Sequence, residues 1–191
     1  MDTEILVPVS VLRALLLFTN NKSDPRYYLR SIYAECGPAG ARLVATNGHI
    51  LAAYKIDGEF AAASCIIPRE LVESELRSIG KALTVQVGIG PPCRVGQLSA
   101  PAFEGHYPDY RKVIPRESNG ELAHFDFGLL ARVEKAAKFL GRKGALILAH
   151  NGPGPAIVNM GNPGFFALIM PYRIKPNEVP TVPAWTHEPV I

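Results

Sequence analysis

Cysteine is scarce and scattered in this 191-residue sequence: Cys36, Cys65 and Cys93 form no CxxC pair and have no histidine nearby at metal-ligand spacing. That excludes a zinc module and argues against a disulfide framework, so reduced thiols in a cytoplasmic setting are the expectation. Charge is also thin, at 19% of residues with a formal net of +3, which permits a nucleic-acid partner without demanding one. The longest apolar run near the start, residues 11–18, contains Arg13 and is too short to span a bilayer, and no signal-peptide pattern precedes it. No membrane partner is expected. Catalytic groupings are missing as well. His49, His106, His124 and His150 have no nucleophile or metal constellation around them, and Asp109 has no paired carboxylate. The glycines of residues 151–155 and 161–164 lack the Lys-Ser/Thr of a phosphate loop, and their prolines remove backbone donors. No catalytic residue, metal or cofactor is assigned, and a non-enzyme is expected.

Apolar residues are plentiful, at 48%, which is enough for a folded core. They fall into a repeating order. Residues 5–19 read as a strand running into a helix, with Pro8 at the junction; residues 27–36, 41–46 and 50–56 read as three strands separated by Gly37-Pro38-Ala39-Gly40 and Asn47-Gly48. The order returns with a strand over 60–67, Pro68, a helix ended by Gly80, and strands over 82–88, 94–98 and 100–103. A third pass begins near Leu122, with a helix over 128–140 and strands over 145–150, 156–160 and 165–170. The repeat is on the order of 55 residues and shares pattern rather than identity. Residues 104–120 read as a connector. Residues 175–191, with Pro176, Pro180, Pro183 and Pro189, read as an extended, untethered tail, with anchoring through Trp185 as the alternative.

Four separated segments carry more specific information: Arg26-Tyr27-Tyr28-Leu29, the turn Ala45-Thr46-Asn47-Gly48-His49-Ile50-Leu51-Ala52, the stretch from Gly105-His106-Tyr107-Pro108-Asp109-Tyr110 to Arg111-Lys112-Val113-Ile114-Pro115, and Met170-Pro171-Tyr172-Arg173. Together they resemble the bacterial DNA polymerase III beta subunit family, the sliding clamps. That family has a YYLNG-like strand, an ATDGHRLA turn, an FPDYRRVLP-like connector and a terminal MPMR. The resemblance implies an α+β DNA clamp fold of three strand-helix-three-strand units, about one and a half clamp domains. Residues 1–116 would be a complete domain like the family's middle one, 117–174 a half domain like the end of its last, and 175–191 the tail.

By the same resemblance, Leu29, Thr46, Gly48, His49, Leu51, Pro108, Val113, Leu168, Met170, Pro171 and Tyr172 would line a pocket for short linear peptides of polymerases and other replication or repair proteins. An apolar concavity with a histidine and backbone groups for orientation suits a peptide carrying a Gln and a Leu or Phe anchor. Three departures stand out: Asn47 for the family's Asp, Ile50 for its Arg and Tyr172 for its Met. Loss of the Arg is expected to remove a polar contact at the pocket rim.

At 100° per residue the third helix places its leucines, Val133 and alanines on one side and Lys135, Lys138 and Arg142 on the other, with Arg132 at the edge. Five Lys or Arg and one Glu fall between Phe127 and Lys143. The clamp resemblance makes Arg132, Lys135, Lys138, Arg142 and Lys143 candidates to face encircled duplex DNA through non-specific phosphate contacts, with Arg13, Arg69, Arg77 and Lys81 as possible additions. Three units per chain imply a homo-oligomer, a tetramer before a dimer, in which the unpaired third unit meets its equal about a two-fold axis. A clamp loader is a further implied partner. The competing expectation is an adaptor or decoy that holds clamp-binding peptides without encircling DNA.

Overall fold

Among the described residues, each of the three α-helices begins where an extended segment turns through nearly the same backbone geometry. Pro8 (φ −60, ψ 135) precedes α1 (Val9–Leu16), Pro68 (φ −57, ψ 134) precedes α2 (Arg69–Ser78), and Asp126 (φ −65, ψ 128) precedes α3 (Phe127–Phe139). In the first two, the proline ring fixes φ covalently and leaves no N–H to lose at a helix start. Asp126 secures the third with its carboxylate, which accepts from Leu129 N at 2.9 Å. This computed structural model describes residues 3–175, 178–183 and 186. Trp185, Pro176 and Pro189 of the expected tail lie outside the described residues.

The first unit comprises β1 (Thr3–Pro8), α1, and the meander β2 (Ser31–Gly37), β3 (Gly40–Thr46) and β4 (Ile50–Ile56). The second has β5 (Ala63–Pro68), α2, β6 (Thr84–Ile89), β7 (Cys93–Val95) and β8 (Leu98–Ala100). The two units exchange their opening strands: β1 pairs with β6 from Thr3↔Ile89 to Pro8↔Thr84, and β5 pairs with β2 from Ser31↔Pro68 to Cys36↔Ala63. One four-stranded sheet, β1-β6-β7-β8, results. The other sheet has seven strands, because the third unit's β9 (Ile147–Ala149), β10 (Ala156–Asn159) and β11 (Phe165–Ile169) extend it in the order β5-β2-β3-β4-β11-β10-β9. The seam is the antiparallel pairing of β11 with β4, from Phe165↔Tyr54 to Ile169↔Ile50.

Period-two alternation sends Ile5, Val7, Val85 and Val87 of one sheet and Ile32, Ala34, Leu43 and Ala45 of the other into a single core, which also takes Leu12 and Leu15 of α1, Val72 of α2 and Val133, Ala136 and Ala137 of α3. A smaller cluster of Val44, Leu51, Leu168 and Tyr110 covers the opposite face of the seven-stranded sheet.

Several expected boundaries move. Tyr27–Arg30 is a turn of 3-10 helix rather than the start of a strand, with Ser31 Oγ donating to Tyr27 O at its end. The strand expected over 60–67 starts only at Ala63. The single strand expected over 94–98 is instead a hairpin of β7 and β8 whose bend at Gly96 has φ +57, and no strand continues over 101–103. No strand forms at Leu122, where the chain makes one isolated bridge, His124↔Tyr172.

Candidate peptide pocket and basic helix

The Asn-Gly turn between β3 and β4 is built by its own side chains. Thr46 Oγ1 donates to Ile50 O (2.7 Å) and accepts from Gly48 N (3.0 Å), while Asn47 Oδ1 accepts from both His49 N and Ile50 N at 2.8 Å. Gly48, at φ +92, takes the left-handed position. These bonds need an oxygen acceptor at position 47, which Asn and Asp both supply, so the departure from Asp leaves the turn intact. Ile50 is 2% exposed and packs in the main core. Strand alternation turns the Ile50 side chain into that core and Leu51 to the opposite face, and Ile50 also borders the cavity beside the turn, so an apolar group stands where the family's Arg would bring a polar one.

The last strand is tied to this turn. Leu168 lies opposite Leu51, Ile169 opposite Ile50, and Met170 N donates to His49 O at 2.8 Å. On the other side the connector folds down onto the sheet. Tyr107 stacks on Tyr33 with ring centroids 4.7 Å apart and planes 8° from parallel, and Tyr110, 5% exposed, donates its hydroxyl to Glu35 at 2.7 Å. Burial first, and then the bond to Glu35, pushes the Tyr110 hydroxyl up to about 12. Glu35 also holds Arg111 and Arg42, and Asp109 accepts from Arg111 N to start the short 3-10 turn Tyr110–Val113. Arg26 grips Asp24 through two parallel hydrogen bonds of 3.0 and 2.8 Å, which hold that carboxyl well below the usual carboxylate range.

These elements enclose a cavity of ≈ 310 Å³. Leu29, Thr46, Gly48, His49, Leu51, Pro108, Val113, Leu168 and Met170 line it. Pro171 and Tyr172 instead line an adjoining hollow of ≈ 330 Å³, which shares His49 and Met170 with the first and is closed by Asp126 and Leu129 at the start of α3. Arg26, Tyr28, Ile50, Tyr107, Asp109 and Tyr110 also line the main cavity and were absent from the residues picked out by sequence. All six sit inside the motif segments already quoted, so the signal was present. Asp126 and Leu129 had none, because their place at the hollow depends on how the third unit docks.

On the basic helix the structure separates residues that the helical projection grouped together. Arg132 turns inward: its Nε donates to Leu17 O (2.9 Å) and its Nη2 to Thr19 O (2.6 Å). Burial, and then the nearby Arg69, lower the pKa of its guanidinium. Arg69 reaches the same helix end from α2, donating to Leu16 O, Thr19 Oγ1 and Asn20 O. Two arginines thus satisfy carbonyls that α1 leaves open at its C-terminus. Arg142 is likewise occupied, with Ala145 O and Asn159 Oδ1. Lys138 pairs with Glu134 at 2.8 Å. Lys135, Lys143 and Arg13 stay exposed. Among the described residues, no group of three His, Cys, Asp or Glu could hold a metal ion, and no helix is long and apolar enough to cross a membrane.

Exchanged opening strands, continuous sheets and helices gathered on one side define a DNA clamp fold. Solved structures agree: the DNA polymerase III subunit beta of Pseudomonas aeruginosa superposes with TM-score 0.68 at 18% identity, over 90% of this chain and 66% of that one, and that of Borrelia burgdorferi, in complex with a natural product, with TM-score 0.70 at 14% identity, over 90% and 63%. The chain's curated sequence relatives carry the name beta sliding clamp. That of Caulobacter vibrioides (strain NA1000 / CB15N) is 28% identical over 162 residues, 76% of this chain and 42% of the relative, and that of Escherichia coli (strain K12) is 30% identical over 132 residues, 63% and 36%. This chain spans about two fifths of the length of those relatives. No family model matches it.

Proposed function

We propose that this chain is a sliding clamp-like processivity factor that encircles duplex DNA as a homo-oligomer and captures short peptide segments of polymerases and other replication or repair proteins. Residues 1–116 act as a complete clamp domain and 117–174 as a half domain. The observation that carries the reading is the convergence of four segments, distant in sequence, on one apolar cavity beside the β4–β11 seam. Its walls of Leu, Val, Pro and Met favour an apolar anchor, and the His49 and Thr46 side chains can orient a polar neighbour. The DNA-facing role falls to Lys135, Lys138 and Lys143, with Arg13 beside them; Arg132 and Arg142 contribute less because their guanidinium groups are already engaged. Such phosphate contacts are weak, salt-sensitive and independent of sequence. A clamp loader would serve to open the ring.

Fluorescence anisotropy with a labelled peptide bearing a Gln and a Leu or Phe anchor tests the pocket. Val113→Asp and Met170→Ala, both at partly exposed positions, should each weaken binding about tenfold, on the order of 1.4 kcal/mol. Equal binding by folded variants and wild type would refute the pocket. Retention on circular DNA, with loss on linearisation, tests encirclement, and Lys135→Glu with Lys143→Glu should shorten it. Peptide capture without any retention would point to the adaptor instead.

A further inference from the structure

In the complete pair of units, residues two and four places before each helix point inward and meet apolar partners on the other unit. Val7 and Ile5 lie opposite Val85 and Val87, and Ile67 and Cys65 lie opposite Ile32 and Ala34, all of them buried. The third unit carries the same pattern ahead of α3, with Phe125 and Ala123 at those places, both partly buried. It is also tethered in the same way. In the second unit Ile66, three residues before the helix, accepts from Phe103 N (3.1 Å) beyond the unit's last strand; in the third, His124, three residues before the helix, accepts from Tyr172 N (2.7 Å) beyond β11. Residues 121–126 therefore sit where an opening strand sits, fixed along one edge; at their start Glu121 O accepts from Gly152 N (2.8 Å) and Ala123 N donates to His150 Nδ1 (3.2 Å), but no ladder forms along the other edge. The complementary deficit lies at β9. It occupies the place of β2 and β6, the first strand after the helix, yet among the described residues it pairs only with β10. The inward positions show the deficit: Ala123 and Phe125 of the segment and Leu146 and Leu148 at β9 are only partly buried, whereas Ile5, Val7, Ile32, Ala34, Val85 and Val87 at the matching places of the closed pair are buried.

We propose that a second copy of this chain completes the third unit, each copy laying residues 121–126 against the other's β9 about a two-fold axis. One operation then satisfies both deficits in both copies, as the exchange between β1 and β5 does within a chain. Transferring the observed register places Phe125 of one copy opposite Leu146 of the other, and Ala123 opposite Leu148. This interface deepens the homo-oligomer reading above, and its test is independent of peptide capture.

Light-scattering mass at micromolar concentration should give a dimer or a multiple of a dimer for the full chain. Ala123→Cys combined with Leu148→Cys should give a covalent dimer on oxidation, because cross-strand Cα separations of roughly 4.5–5.5 Å suit a disulfide. Each single variant alone should give none, whereas the two mixed should. The native thiols serve as the control in wild type, where Cys65 and Cys93 are buried. A monomeric mass would overturn the proposal, as would an oligomer whose 123 and 148 cysteines do not cross-link in folded protein. If cross-linking succeeds while the anchor peptide fails to bind, the pocket reading falls and the interface stands; the converse result separates them the other way.

Discussion

The first two units and the third unit share one pattern but differ in how far it closes. In the pair, strands β2, β3 and β4 are seven residues each and the exchanged strands are six; in the third unit β9, β10 and β11 have three, four and five. Yet α3, at 13 residues, is longer than α1 at eight or α2 at ten. Helix length follows from local capping and periodicity, which the third unit has in full. Strand length follows from neighbours. β9, with no exchanged strand against it, keeps three residues, where its counterparts β2 and β6, each paired with an exchanged strand, keep seven and six, so the difference teaches that reciprocal exchange extends the strands it joins.

The sharpest way to test that contrast is to remove equal apolar volume on the two sides. Leu15→Ala, in the fully buried part of α1, should cost about 2–5 kcal/mol of unfolding free energy in denaturant titration. Leu140→Ala, at the partly buried end of α3, should cost roughly 1 kcal/mol in a monomeric background. Equal losses would mean that the third unit is as tightly closed as the pair.

The next effect lies on the pH axis and belongs to the closed half alone. Burial pushes the Cys65 thiol up to about 12 from its ordinary 9, and raises Cys93 in the same direction; the third unit contains no cysteine. An unfolded chain releases these protons near pH 9 while the folded chain keeps them. Their contribution to stability is therefore fully present below pH 9 and is lost as pH climbs toward about 12. Denaturation midpoints should fall progressively across that window, and Cys65→Ala with Cys93→Ala should flatten the decline. An unchanged slope would show that other groups govern it.

The junction between the halves can be broken at one guanidinium. Arg132→Ala leaves the Leu17 and Thr19 carbonyls without their donors and should cost about 1–3 kcal/mol, whereas Lys135→Ala, exposed on the same helix, should stay within about 0.5 kcal/mol. Similar small effects from both would return Arg132 to the solvent face.

That arginine marks where sequence reasoning stopped. A helical projection places Arg132 at the edge of the basic face, but only the fold brings the open end of α1 to that edge. Local chemistry was legible: Asn47-Gly48 fixed the turn, and β4 spans the residues 50–56 expected of it, because side-chain acceptors and alternation act within a few residues. Tyr27–Arg30 misled because aromatic residues favour strands in general, while here the short 3-10 turn brings Leu29 against the cavity. Residues 121–126 read as an opening strand for sound reasons of pattern, since Ala123 and Phe125 alternate correctly, but a ladder needs a partner that no local signal supplies. The inward course of Ile50 follows from counting along β4, where alternation sets it against the main core and Leu51 against the connector.

The smallest predicted effect separates the closed sheet from the connector lying on it. Tyr107 stacks on Tyr33 with its hydroxyl buried and, among the described residues, without a hydrogen-bond partner, and burial raises its pKa. The neighbouring Tyr110, by contrast, delivers its hydroxyl to Glu35. A buried hydroxyl with no partner loses its water without recompense, whereas a phenylalanine ring keeps the stacking and has nothing to desolvate. The FPDYRRVLP-like connector of the sliding clamps carries Phe at this place. Tyr107→Phe should therefore stabilise the chain by about 1 kcal/mol, while Tyr110→Phe should destabilise it by a similar amount by leaving Glu35 with fewer donors. Paired thermal melts check the signs. If both substitutions destabilise, the Tyr107 hydroxyl has a partner in solution, and the connector is held by two polar anchors rather than one.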